Sequence, residues 1–169
     1  SAGLGVATPF PMYVKGNFNV TGSSGTRANT NATGNYTYPA ALYADAVTIL
    51  SSNWNDTTTS KLPTPIATTV NAACLEGIVP SINSTYSGGV ENFLRLLENW
   101  SSSTALTYNG SIVVMFPSVY ATNSWLNTGN YYNAPKRNWA FDLNFAQQSG
   151  LPPLTPQIKA VIRSQWFGQ

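Results

Sequence analysis

Histidine is missing from all 169 residues, and cysteine occurs once, at Cys74. The first absence excludes Ser-His-Asp and Cys-His nucleophile systems and zinc sites built on imidazole. The second excludes an internal disulfide and thiolate metal clusters. Charge is nearly as scarce: charged residues make up 8% of the chain, where a soluble domain usually carries about a quarter. The carboxylates are Asp45, Asp56, Glu76, Glu91, Glu98 and Asp142, and a formal net charge of +2 is spread too thinly to mark a partner. No apolar run approaches the roughly eighteen residues of a membrane span, so none is expected. There is no signal-peptide pattern, and Ser1 reads as the start of a processed or excised piece. Gly22, Gly25 and Gly34 match neither nucleotide-binding fingerprint.

Serine, threonine, asparagine and glycine are abundant instead, so solubility rests on hydroxyls and amides. With 43% hydrophobic and 12% aromatic residues, the composition is that of a folded chain. Its length suits a single domain over 1–169 with a sizeable core, and the balance resembles extracellular β-rich proteins. Residues 86–116 form the expected anchor. Val90, Phe93, Leu94, Leu97 and Trp100 recur at helical spacing, predicting an amphipathic helix around 88–100. Asn109-Gly110 is the strongest hairpin-turn signal, and the apolar run Ser111–Phe116 reads as a buried strand. Further strands are expected in 9–20, 47–50, 66–79 (as a pair, 67–70 and then 71–79, broken at Gly77) and 135–145, with long polar loops at 21–38 and 52–65. Apolar runs with glycines at recurring offsets predict a mainly β, β-solenoid-like fold, with a β-sandwich as the alternative.

Chemistry has few candidates. A glycosidase needs two carboxylates flanking one bond, and Glu91 and Glu98 stand two turns apart on the expected helix, but solvated helix charges explain them more simply. Asn53 to Thr57 places oxygens at alternate positions without the carboxylate density of a calcium loop. Cys74 lies in an apolar segment and reads as a buried, inert thiol. No catalytic residue, metal site or cofactor is predicted. Trp125, Tyr131 and Tyr132, beside the basic pair Lys136-Arg137, form the one candidate ligand-binding patch, suited to glycans or DNA by stacking and phosphate contact. The competing reading packs those aromatics over the ends of the core. Sequons begin at Asn19, Asn31, Asn35, Asn55, Asn83, Asn99 and Asn109, most of them expected by chance in so asparagine-rich a chain.

PMYVKGNFN, ALYADAVTILSSNWND, TTVNAACLEGIVPS, YSGGVENFLRLLENW, YNGSIVVMFPSVYAT, RNWAFDLNF and LPPLTPQIKAVIRSQW, in this order, resemble the C-terminal region of large bacterial envelope proteins that carry a PilX-type pilus-assembly segment. The resemblance implies a solenoidal, secreted or surface-displayed module of a type IV pilus-like system, with no catalytic residues to transfer. The expectation is therefore a non-catalytic extracellular structural or adhesive module. Its partners would be other copies of itself or pilus and envelope proteins, with DNA or glycan binding as the alternative and an acid-pair hydrolase as a remote one.

Overall fold

The computed structural model describes residues 3–21, 26–27, 36–57, 64–79, 93–101, 103–122, 133–156 and 158. Among the described residues there are ten strands: β1 (Leu4–Ala7), β2 (Met12–Lys15), β3 (Thr26–Arg27), β4 (Tyr36–Thr37), β5 (Ala40–Ala44), β6 (Val47–Leu50), β7 (Thr68–Ile78), β8 (Leu94–Leu96), β9 (Ala105–Pro117) and β10 (Lys136–Phe141). Two 3-10 turns, Leu143–Ala146 and Gln148–Gly150, follow. The strands form a five-stranded sheet in the order β1-β5-β7-β9-β10, a three-stranded sheet β2-β6-β8 and the pair β3-β4. Every pairing in the two larger sheets is parallel; β3-β4 is antiparallel.

The alternation of side chains along each strand decides what faces the core. In the larger sheet Ala40, Leu42, Val70, Ala72, Cys74, Leu106 and Tyr108 point one way. In the smaller sheet Val14, Val47, Ile49, Leu94 and Leu96 meet them, and Trp100 completes the cluster. Adjacent strands approach closely at Gly110, whose register partner is Ala72. A Cβ there would run into the Ala72 carbonyl, so glycine is required mid-strand by space rather than by a turn.

The other face of the larger sheet carries a row of small residues in register, Gly5, Ala41, Ala73 and Ser111. The segment after β10 returns across this furrow. A Cβ on Gly5 would stand 3.2 Å from the Pro153 carbonyl oxygen, and one on Gly3 2.8 Å from Pro153 Cδ. Ala41 is thereby only 1% exposed although it faces away from the core. Leu151, Pro152 and Thr155 line a cavity of about 160 Å³ against Ala73, Cys74 and Ser111. This C-terminal strap is why the middle of the sheet is shielded on both faces.

Four expectations need correction. The fold is neither a β-solenoid nor a β-sandwich: it consists of two open, all-parallel sheets with an α/β-like strand arrangement and, among the described residues, almost no helix. A sandwich is built from antiparallel strands. A regular coil is contradicted by strands of two to thirteen residues and by β9 and β10 having no counterpart in the smaller sheet among the described residues. The glycines read as a repeat mark separate local events, a close approach at Gly110 and a register shift at Glu76/Gly77.

The amphipathic helix around 88–100 is absent from the part that is described, 93–100. Leu94–Leu96 is strand β8, held by pairing with Val47, Thr48 and Ile49 of β6. Residues 88–92 lie outside the described residues. Asn109-Gly110 is no hairpin turn but the middle of β9. Lastly, the polar stretch 21–38 is not purely loop, since it contains β3 and β4.

Candidate functional site

Of the predicted binding patch, Trp125, Tyr131 and Tyr132 lie outside the described residues. Lys136 and Arg137 are described and exposed, as the first two residues of β10. This strand is the edge of the larger sheet and is exposed at all six positions. Register places Arg137 beside Leu106 and Trp139 beside Tyr108, so both lie on the side of the sheet that faces the core. The Trp139 and Tyr108 ring centroids are 5.8 Å apart, and the Arg137 guanidinium carbon lies 5.4 Å from the Trp139 ring centroid, a cation–π distance. Trp139 is 37% exposed and Phe141 51%. The basic group and the aromatics it meets therefore share one face of an open strand edge. Sequence reasoning missed Trp139 as a site residue; the i, i+2 spacing from Arg137 on an alternating strand was the signal.

The carboxylates are engaged elsewhere. Asp45 sits at the two-residue corner between β5 and β6, 3% exposed. Its oxygens accept from the Val119, Tyr120 and Ala121 N–H groups at 2.5, 3.1 and 2.7 Å, pinning the chain after β9 to that corner. Its own carbonyl accepts from Ser118 Oγ (2.9 Å) and the Gly77 N–H (3.2 Å). Glu98 is fully buried and accepts from the Ser51 N–H and hydroxyl at 2.5 and 2.7 Å, satisfying the backbone where β6 ends. Its supposed acid partner Glu91 lies outside the described residues. Asp142 accepts from the Asn144 N–H at 2.9 Å and starts the first 3-10 turn; burial pushes its pKa up.

Glu76 differs from these. It is 1% exposed, its Oε2 accepts from the Val47 N–H at 2.8 Å, and its Oε1 has no hydrogen-bond partner. Burial pushes its pKa up to about 8, against the Val47 hydrogen bond and the positive charge of Arg95. Burial thus favours the protonated form, in which a buried carboxyl costs least. Arg95, lowered by its own burial, donates to the Ala121 carbonyl at 2.8 Å. Cys74 is buried as expected, and desolvation pushes its thiol up to about 12, far from a reactive thiolate.

Local hydrogen bonds account for the calcium-like loop. Asp56 accepts from the Trp54 indole at 2.6 Å, Asn55 from the Thr57 N–H and hydroxyl at 3.0 and 2.8 Å. Among the described residues no cluster of three or more metal-binding side chains occurs. Three sequon asparagines are likewise engaged. Asn19, in left-handed backbone at φ 56, donates to the Tyr38 and Asn71 carbonyls at 2.7 and 2.8 Å. Asn109 donates to the Asn71 side chain at 2.7 Å, both of them buried. Asn99 accepts from Asn133. Asn31, Asn35 and Asn83 lie outside the described residues.

Two further apolar clefts flank β1. One, of about 310 Å³, is lined by Leu4, Phe18, Tyr38 and Pro39; the other, of about 320 Å³, by Ala7, Pro9, Tyr43, Leu75 and Phe116. Neither lining brings two carboxylates or a nucleophile–base pair together. No described helix is long and apolar enough to cross a membrane. Searches of family models, curated proteins and solved structures returned no match to this chain.

Proposed function

We propose that this chain is a non-catalytic structural or adhesive module displayed outside the cell, within a pilus-like or surface-fibre system. The observation that carries the proposal is the use made of the carboxylates. Asp45, Glu98 and Asp142 hold backbone N–H groups at the ends of strands, and Glu76 holds the start of β6. Groups that an acid–base enzyme would aim into a cleft instead fasten corners of the scaffold. The low charge and hydroxyl-rich composition suit an exterior location, and the resemblance to PilX-type envelope proteins supports the same setting.

The exposed Arg137–Trp139 stack supports a second reading, a binding module for glycans or DNA, since a guanidinium on an indole is a platform for sugar rings or bases. Protein-coated beads tested for adhesion to glycan-bearing, DNA-coated and bare surfaces, beside mass photometry and negative-stain microscopy of the soluble protein, decide the matter. Adhesion, filaments or a ladder of oligomers supports the module. A monomer at every concentration that adheres to nothing overturns it. Adhesion lost with Trp139→Ala while assembly persists selects the second reading.

A further inference from the structure

The apolar core is open at both ends of the larger sheet. At one edge, Leu4 and Val6 of β1 are in register with the core residues Ala40 and Leu42, so they lie on the core-facing side. They are nevertheless 49% and 37% exposed. At the other edge, Trp139 and Phe141 of β10 occupy the same side, in register with Tyr108 and Gly110, and are 37% and 51% exposed. A layer of core side chains ends in solvent twice, at opposite ends of one sheet.

The backbone is complementary too. The Leu4 and Thr8 N–H groups donate inward to the Pro39 and Tyr43 carbonyls at 2.9 Å, so by alternation Gly5 and Ala7 turn their polar groups outward. Lys136 and Asp142 donate inward to Thr104 and Gly110 at 2.9 and 3.2 Å, leaving Arg137, Trp139 and Phe141 facing outward. Because every pairing in the sheet is parallel, the two edges have the same polarity. β1 carries no charge, so nothing opposes Lys136 and Arg137.

We infer that the partner of each edge is a second copy of this chain, with β1 of one copy laid parallel on β10 of the next. This rests on the structural-module reading and names its partner. With Val6 opposite Trp139, the apolar side chains at the two open ends cover one another and the sheet runs on across the junction. Each edge meets the other and not itself, so the contact is heterologous and propagates as an open filament unless it closes into a ring.

Cysteine cross-linking tests the geometry, because buried Cys74 does not compete. In the stated register Ala7 faces Ala140, and both are exposed. Ala7→Cys and Ala140→Cys are made singly and together, and mildly oxidised. The expected result is a covalent ladder for the double variant, a mixed dimer when the two single variants are combined, and monomer for either alone. Same-site dimers such as A7C with A7C overturn the head-to-tail arrangement while leaving a self-associating module in place. A wild-type protein that stays monomeric at all concentrations and yields no ladder also overturns it, and adhesion then decides whether the module reading survives. Val6→Arg provides a second arm: it abolishes wild-type assembly without changing the circular dichroism spectrum. Assembly that persists in V6R refutes the proposal.

Discussion

The middle of the larger sheet and its β10 edge obey the same alternation with opposite outcomes. Along β7, core-facing Val70, Ala72 and Cys74 are 1% exposed, and the outward Ala73 is still half-buried under the strap. Along β10 all six residues are exposed, though Trp139 and Phe141 stand on the core side. The strand pattern therefore selects a face, and neighbours on each side decide whether that face is dry. Two leucines of neighbouring strands show this directly: Leu42 is 2% exposed and Leu4 49%, on the same side of the sheet.

Substitutions in the two regions should diverge accordingly. The largest effect is expected from Gly110→Ala, where the new methyl meets the Ala72 backbone and cannot be accommodated by a rotamer change; loss of the cooperative thermal transition is the measurement. Leu42→Ala should cost about 2–5 kcal/mol in urea unfolding, and Leu4→Ala well under half of that in the same experiment. Equal losses would mean that the β1 end is covered in solution.

Glu76 gives a pH test of the dry region. Its folded pKa, about 8, lies above the value near 4.5 of an unfolded glutamate. Between those values the folded state holds a proton that the unfolded state has released. This contribution is fully present below about pH 4.5, declines as pH rises and levels off above about 8. Glu76→Gln should flatten that slope and raise stability on the alkaline side, measured as urea midpoints across pH. An unchanged slope would place the charge elsewhere. The smallest effect is expected from Trp139→Ala, about 1 kcal/mol, because its cation–π and ring contacts are solvent-exposed.

Much of the strand pattern was legible in the residues. Val47-Thr48-Ile49-Leu50, most of the 66–79 run (one strand, Thr68–Ile78, with its irregularity at Gly77) and Ser111–Phe116 fall in strands, since β-branched runs suit a pleated surface. Ser111–Phe116 is nevertheless not the buried strand expected, with Val113 42% and Met115 68% exposed. The expected helix around 88–100 fails in its described part because Leu94, Leu97 and Trp100 satisfy a 3.6-residue period while Leu94 and Leu96 equally satisfy a period of two. Pairing with β6, more than forty residues away, settles the choice, and no local window contains it. Asn109-Gly110 failed for a related reason. The amide that would stabilise a tight turn bonds Asn71, and the missing side chain makes room for Ala72 instead. Of the candidate site, Lys136 and Arg137 were visible as a basic pair. Trp139 was not, because its role depends on which strand lies at the edge.

Parallel pairing also sets a timetable. In the two larger sheets each strand finds its neighbour more than thirty residues away, as with Leu4 and Ala40 or Lys136 and Ala105. Only β3 and β4, among the described strands, pair across a short segment. Such a chain has little local structure from which to nucleate, so refolding belongs with the slow, non-local class, on the order of milliseconds to seconds. During synthesis β1 and β2 emerge before β5 and β6 and must wait for them, their apolar side chains unprotected in the interval.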